Sequence, residues 1–286
     1  MSIIIEIAQN AGACYGVKRA LEMAHGAAES AGPVHTLGPL IHNPRVVDDL
    51  AAQGVLVADT LDEVAEGTLV LRSHGTAPQI VDAALDRGLA VVDATCPYVS
   101  KVQRKARQLA EEGYAVVIIG EPGHAEVEGI RAWGGEAVIA VADVPEKLPD
   151  ELPARVGVVI QTTQSADRVA AVLGALEGRV EELRVEKTIC FATQERQDSA
   201  AQIASQAELM IVIGGRNSGN TRRLYEICKA RCAATHHIED SVEIEASWLD
   251  GVDRIGITAG ASTPQEHIDA VCAYIRELTD KATDNV

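Results

Sequence analysis

Cysteines and polar loops recur at equal spacing in this chain of 286 residues. Cys14, Cys96 and Cys190 each lie between a short apolar segment and a segment rich in helix-forming residues. A polar loop follows 28 residues after each of these cysteines, and a second polar loop comes later in each repeat. The loop residues are His42 and His74 in the first repeat, His124, Thr162 and Thr163 in the second, and Ser218, Gly219, Asn220 and Ser262 in the third.

Three thiolates from three repeats are a donor set for a soft metal, either zinc or an iron–sulfur cluster. A four-iron cluster normally takes four cysteines, so three would leave one iron with an open position. Such an iron can polarise a substrate oxygen, and the cluster can deliver electrons. Zinc with three thiolates would need a histidine or water as its fourth ligand.

The loop residues supply imidazole, hydroxyl and amide donors beside the expected starts of helices. Helix N-termini and such donors favour an anion, and phosphate or diphosphate is the natural guest. Charged imidazoles would add charge-assisted hydrogen bonds to phosphate. A second metal held by the three histidines is the alternative, less favoured because their loops differ in sequence context.

One acidic residue is placed to take part in proton transfer. Glu126 follows His124 by two residues, and near a cluster and a diphosphate its carboxyl could supply protons. Alternatively, Glu126 or Glu128 complements the dipole in the first turn of a helix. Thr162 and Thr163 either cap the helix that follows or bind a substrate hydroxyl, and the sequence leaves both open.

The elements that must position these residues read as an α/β fold. Short apolar runs alternate with helical stretches, which predicts mainly parallel sheets covered on both faces. The repeat divides the chain into three similar α/β units, residues 1–95, 96–188 and 189–286, arranged pseudo-threefold so that their loops converge. The predicted strands include Leu69-Leu71, Leu89-Val92, Ala115-Ile119, Val156-Ile160, Leu209-Ile213 and Arg254-Thr258, and the predicted helices include Lys101-Glu112, Ser165-Leu176 and Ser199-Gln206.

Composition excludes several classes of protein. A formal net charge of −17 argues against a general nucleic-acid or anionic-membrane binder. No apolar run has the length of a membrane span, and residues 1–10 lack a cationic leader, so a cytoplasmic protein is expected. The other cysteines, Cys228, Cys232 and Cys272, are expected to pack as small hydrophobes.

Eight short motifs, in order along nearly the whole chain, resemble one known family. That family is 4-hydroxy-3-methylbut-2-enyl diphosphate reductase, the last enzyme of the methylerythritol phosphate route to isoprenoids. The resemblance implies a cloverleaf of three α/β units around a central 4Fe-4S cluster. The motifs are AGACYGVKRA, IHNPRVVDDL, SHGT, VVDATCP, GHAEVEG, QTTQS, GGRNSGN and TAGAS.

The resemblance also implies a role for each matched residue. Glu126 looks like the proton source, with Thr163 as its partner at the substrate hydroxyl and Thr162 as the less certain neighbour. Gly219 and Ala125 depart from the family pattern, which more often has Ser and Pro at these positions. The implied cluster ligands are Cys14, Cys96 and Cys190, and the implied diphosphate cradle is His42, His74, His124, Ser218, Asn220 and Ser262.

Two functional alternatives and one partner remain as hypotheses. The alternatives are another three-cysteine cluster enzyme, such as a quinolinate synthase-like dehydratase, and a non-catalytic metal-binding protein. The partner is an acidic electron donor such as ferredoxin or flavodoxin, docked through charge attraction. The basic residues that suggest it are Lys101, Arg104, Lys105 and Arg107, which have no acidic neighbour until Glu111.

Overall fold

The computed structural model describes residues 3–30 and 32–284, and within them the chain alternates strands with helices. The strands are β1 Ile4–Ile7, β2 Val34–Leu37, β3 Val55–Ala58, β4 Thr68–Leu71, β5 Ala90–Asp93, β6 Ala115–Ile119, β7 Val138–Ala142, β8 Arg155–Ile160, β9 Glu182–Val185, β10 Leu209–Ile213, β11 Thr235–Ile238 and β12 Arg254–Ala259. The α-helices are α1 Tyr15–Ala28, α2 Pro44–Ala52, α3 Pro78–Asp86, α4 Pro97–Glu111, α5 Ala125–Gly134, α6 Ala166–Leu176, α7 Phe191–Ala204, α8 Gly219–Lys229 and α9 Gln265–Asp284.

The strands form three parallel sheets of four strands each, with the same order in every sheet. The orders are β3-β2-β4-β5, β7-β6-β8-β9 and β11-β10-β12-β1. The first strand of the chain therefore completes the third sheet, where it takes the edge position that β5 and β9 hold in the other two. The predicted class, three α/β units with parallel sheets, is confirmed at the level of the sheets.

By contacts, the chain separates into two compact units. The central unit, residues 16–41 and 45–190, contains two of the sheets. The terminal unit, residues 1–15, 42–44 and 191–286, contains the sheet formed by β1, β10, β11 and β12. The boundaries predicted at residues 95/96 and 188/189 stay predictions, and their outer limits, residues 1 and 286, lie outside the described residues.

All six strands predicted by position occur, with ends that shift by one residue at most. The structure adds six strands to these, among them the outer strands β3, β7 and β11, which carry exposed or half-exposed side chains and so lack a continuous apolar run. Two helices begin earlier than predicted, since α4 and α7 start directly after Cys96 and Cys190. Each of these cysteines therefore stands at the start of a helix.

The three cysteines outside the repeat lie in the apolar cores, as predicted. Cys228 and Cys232 pack beside α7 and β10, and Cys272 packs on the other side of the same sheet. Burial raises the pKa of the Cys228 thiol to about 12, so it remains protonated at neutral pH. The thiolate is the reactive form of cysteine, and this position is therefore unreactive in the folded chain.

Alkylation of the metal-free protein should separate the two groups of cysteines. Half-buried Cys14, Cys96 and Cys190 should react with iodoacetamide in the native state, whereas Cys228 and Cys232 should react only after unfolding. Peptide mass spectrometry before and after addition of denaturant measures both. Native labelling of Cys228 as fast as that of Cys96 would contradict the packing role.

Candidate functional site

Each repeat cysteine is anchored by the same main-chain hydrogen bond. Its N–H donates to a carbonyl in the loop that follows the neighbouring strand of its sheet, at 3.0 Å in all three repeats. The pairs are Cys14 to Ala261, Cys96 to Ser73 and Cys190 to Thr162. The residues that follow those carbonyls, Ser262, His74 and Thr163, are therefore structurally equivalent.

A second set of equivalent bonds anchors the loops of the next strands. Gly38, Gly120 and Gly214 follow β2, β6 and β10, and each donates its N–H to the last residue of the outer strand beside it. The loops that contain His42, His124 and Ser218 leave the sheets from these points. In each sheet, a repeat cysteine and two polar loops thus follow three adjacent strands.

In the terminal unit, the His42 segment and the Ser262 loop are held together. The Ser262 hydroxyl donates to the His42 carbonyl at 3.1 Å, and the Asn43 amide donates to the Ser262 carbonyl at 2.8 Å. Gly215 lies against the same His42 carbonyl, since a Cβ at 215 would be 2.6 Å from that oxygen. Asn43 was missed by the sequence reasoning, although it stands inside a quoted motif.

The start of helix α8 lies in the same unit and contains three of the residues predicted to bind an anion, Ser218, Gly219 and Asn220. Ser218 caps the helix, accepting the Thr221 N–H on its hydroxyl at 3.3 Å. Gly219 and Asn220 form the first turn. Both polar atoms of the Asn220 side chain are buried without a hydrogen-bond partner among the described residues. A buried amide of this kind calls for a ligand or water to satisfy it.

The central unit brings His74 and His124 together. Their ring centroids are 5.6 Å apart in an edge-to-face arrangement. His124 also caps helix α5, and its Nδ1 accepts the Glu126 N–H at 3.1 Å. An accepting Nδ1 places the proton of a neutral ring on Nε2, so this nitrogen is a donor for an anion.

Glu126 is buried and bound through both carboxyl oxygens to one residue. The Thr162 N–H donates to Oε1 at 2.7 Å, and the Thr162 hydroxyl donates to Oε2 at 2.8 Å. Glu126 therefore pairs with Thr162 and not with Thr163, whose role at the substrate hydroxyl stays a prediction. The hydrogen bond between Cys190 and the Thr162 carbonyl fixes the register of this loop, which leaves Thr163 only partly buried.

The environment of Glu126 favours its protonated form. Burial raises the pKa of Glu126 from 4.5 to about 7, although the two hydrogen bonds from Thr162 act in the opposite direction. Glu128, by contrast, is exposed on the first turn of α5. Exposed Glu128 therefore complements the dipole at the start of α5, whereas the burial and raised pKa of Glu126 are properties expected of a proton donor near neutral pH.

Another residue that the sequence reasoning missed positions the His124 loop. The Gln161 side chain accepts the Glu121 N–H at 2.9 Å, which holds the start of this loop against the end of β8. A glutamine at the end of a strand has no pattern of its own, so only the structure identifies it. Thr162 does not cap α6, because Ser165 takes that position.

Each repeat cysteine follows the edge strand of one sheet. Cys14 follows β1, Cys96 follows β5 and Cys190 follows β9. None of the six cysteines, all within the described residues, is in a disulfide. Among those residues, no three Cys, His, Asp or Glu side chains are grouped closely enough to hold a metal ion. The three repeat cysteines nevertheless have the donor chemistry that an iron–sulfur cluster requires, because they present partly exposed thiols at structurally equivalent positions. No helix in the described part of the chain is long and apolar enough to cross a membrane.

The predicted basic patch on α4 is smaller than the sequence indicates. Lys105 forms an ion pair with Glu186 at 3.3 Å, and Arg107 stacks over the Trp133 ring at 4.1 Å. Lys101, Arg104 and Arg107 are exposed on the helix that follows Cys96. Tyr98, 45% exposed, precedes them by about one turn.

The comparisons with known proteins agree with one another. The sequence profile of the LytB protein family matches residues 5–276. Relatives named 4-hydroxy-3-methylbut-2-enyl diphosphate reductase include those of Pelobacter propionicus, 45% identical over 96% of this chain and 98% of theirs, and Trichlorobacter lovleyi, 48% identical over 96% and 98%.

Solved structures give the same result for the fold. The chain matches a structure of (E)-4-hydroxy-3-methyl-but-2-enyl diphosphate reductase, described as the terminal enzyme of the non-mevalonate pathway. The identity is 44% and the TM-score 0.70, with 96% of this chain and 100% of that chain covered. The Plasmodium falciparum reductase matches at 27% identity with a TM-score of 0.90, covering 98% and 89%.

The raised pKa of Glu126 predicts a pH-dependent stability. A carboxyl with a higher pKa in the folded state binds its proton more tightly there, so it stabilises the fold most below pH 4.5, and this stability is lost as pH rises to about 7. Over that window the free energy of unfolding should fall by on the order of 3 kcal/mol more in wild type than in Glu126→Gln.

Urea unfolding of the metal-free protein at several pH values measures this difference. Exposed Glu128→Gln is the matched control and should keep the wild-type dependence on pH. Parallel stability curves for wild type and Glu126→Gln would show that the Glu126 carboxyl ionises normally.

Proposed function

The chain belongs to the LytB family, and from this premise we propose that it reduces (E)-4-hydroxy-3-methylbut-2-enyl diphosphate to isopentenyl and dimethylallyl diphosphate. In this reaction the allylic C–O bond breaks, two electrons and two protons are consumed, and the hydroxyl leaves as water. The relatives that carry this name match nearly the full length of the chain. The observation that carries the proposal is the buried Glu126–Thr162 pair on the α5 segment capped by His124.

Cys14, Cys96 and Cys190 are the residues that would hold the iron–sulfur cluster of this family. Thiolates suit iron–sulfur clusters, and the three occupy equivalent, partly exposed positions at the sheet edges. A 4Fe-4S cluster with one iron not bound by cysteine supplies the electrons and a Lewis-acid position for the substrate hydroxyl. The main-chain hydrogen bonds of the three cysteines fix the positions of their Cα atoms.

The diphosphate is bound by imidazole, hydroxyl and amide donors. In the terminal unit these are Ser218, Asn220 and Ser262 with His42, and the buried Asn220 amide supplies donor capacity that the protein leaves unused. At Gly219 the side-chain hydroxyl common in the family is absent, and the main-chain N–H at the start of α8 supplies a donor instead. In the central unit, His74 and His124 supply ring donors.

Glu126 supplies a proton to the leaving hydroxyl. With a pKa of about 7 its carboxyl is about half protonated at neutral pH and mostly protonated below it, so it can donate, and its burial keeps bulk water away from this step. Thr162 donates one hydrogen bond to each oxygen of this carboxyl and thereby orients it. Thr163, at the position equivalent to His74 and Ser262, contributes a hydroxyl on the substrate side of the loop.

The electrons come from an acidic one-electron donor such as ferredoxin or flavodoxin, bound at the exposed face of α4. Lys101 and Arg104 provide positive charge on a chain of net charge −17, beside the partly exposed Tyr98. The helix starts directly after Cys96, so this face is next to a cluster ligand. The six cysteines, none of which is in a disulfide, and the acidic composition favour a cytoplasmic location, without nucleic acid or membrane as a partner.

Turnover of the hydroxylated diphosphate tests the function directly. Protein purified without oxygen should contain iron and sulfide and should convert the substrate with a reduced dye. Glu126→Gln should retain the iron and bind the substrate but lose about 100-fold in kcat, the contribution typical of a positioned acid. A colourless zinc protein without turnover would contradict the proposal, and full activity of Glu126→Gln would contradict the proton role.

Charge reversal on α4 tests the donor. Lys101→Glu with Arg104→Glu should slow reduction by ferredoxin or flavodoxin about tenfold at low salt, because charge complementarity governs the association rate. Reduction by a small dye should not change. Lys229→Glu with Arg231→Glu, an exposed pair on the terminal unit, is the control. Equal donor rates for both double variants would contradict this docking face.

A further inference from the structure

Gln103 is a buried amide on the helix that follows Cys96. It is 3% exposed and lies on the inner face of α4, whose other buried residues are Val99, Val102, Ala106 and Leu109. Its side-chain Nε2 is buried without a hydrogen-bond partner among the described residues. A buried amide donor left unsatisfied costs stability, so an apolar side chain would serve packing alone better.

Two glycines make room for this amide. A Cβ at Gly75 would be 2.2 Å from the Gln103 Nε2, and a Cβ at Gly129 would be 3.0 Å from it. Gly75 also has a φ of +72°, a conformation that other residues rarely adopt. The amide therefore lies directly against the main chain of both the His74 loop and helix α5.

The two segments that meet at Gln103 carry the central unit's site. Gly75 directly follows His74, and Gly129 lies one turn after Glu126 on the helix that His124 caps. A second link joins the same segments, since the Trp133 indole N–H donates to the Thr76 carbonyl at 3.1 Å. The main-chain carbonyl of His74 is 3.6 Å from the same Gly129 Cβ position, so the His74 main chain and the Gln103 amide both lie against α5 at Gly129.

We infer that Gln103 is a positioning residue, whose buried amide is packed between the His74 loop and α5 and so sets the spacing of the His74 and His124 rings for the diphosphate. This inference rests on the proposed function, because it takes the guest of these rings to be a diphosphate. Glu126 has its own anchor in Thr162, through two hydrogen bonds. Loss of the Gln103 amide should therefore weaken anion binding and leave proton donation unchanged.

Gln103→Met tests the inference, since methionine has a similar length and no hydrogen-bonding amide. The variant should keep its iron content and melt at or above the wild-type temperature, because it no longer buries an unsatisfied donor. Its affinity for inorganic diphosphate, measured by calorimetry on the metal-free protein, should fall about tenfold, the loss expected of one misplaced donor. KM should rise by a similar factor, with kcat and its pH profile unchanged.

Two further variants separate positioning from packing. Gln108→Met is the control on the exposed side of α4, where Gln108 bonds to Lys105 and Glu112, and it should change neither affinity nor KM. Gly129→Ala favours the helix but pushes the Gln103 amide aside, so it should weaken diphosphate binding without loss of stability. Combined with Gln103→Met, it should weaken binding little further, because both changes act through one contact.

The outcomes distinguish this inference from the function on which it rests. Wild-type diphosphate affinity retained in Gln103→Met, or lost only together with the melting temperature and iron content, overturns the positioning role while the reductase function stands. A wild-type protein that neither binds diphosphate nor reduces the substrate overturns both. Weaker binding with an intact fold and an unchanged kcat supports the role of Gln103.

Discussion

The functional residues all depend on the way parallel strands end. In a parallel sheet every strand finishes at the same edge, so the loops that follow neighbouring strands are held side by side. Here one main-chain hydrogen bond ties each repeat cysteine to the loop of the adjacent strand, at 3.0 Å in all three sheets. A shift of one residue at that bond would change which loop residue is structurally equivalent to His74, Thr163 and Ser262.

That register explains how the candidate site residues of the central unit are arranged. Because Cys190 bonds to the Thr162 carbonyl, the Thr162 side chain turns into the protein and reaches Glu126, while Thr163 takes the position of His74 and Ser262 in the other sheets. The burial that raises the pKa of Glu126 follows from its place on the inner face of α5. Gln103 adds a further constraint on the His74 loop, from the helix that Cys96 begins.

Much of this arrangement could be predicted from the sequence, because the spacing of the cysteines and polar loops mirrors the repeat of the sheets. The central strands were found because they are continuously apolar, whereas the outer strand β11 was not, since His236 and His237 interrupt its apolar pattern. Which of Thr162 and Thr163 contacts Glu126 depends on the register of the loop after β8. Two adjacent threonines do not reveal this register in the sequence. Lys105 forms an ion pair with Glu186, which is far from it in the chain. The loss of Lys105 from the basic residues available on α4 could therefore be seen only in the structure.

The most direct test of the account is a titration of the Glu126 carboxyl. Infrared difference spectra of wild type against Glu126→Gln, recorded on the metal-free protein from pH 4 to 9, isolate the band of this one group. The Glu126 carboxyl should lose its proton with a midpoint of about 7. A midpoint near 4.3, the pKa of an exposed glutamate, would show that buried Glu126 is ionised at neutral pH. It would then have no proton to donate, and the proposed proton transfer would be contradicted.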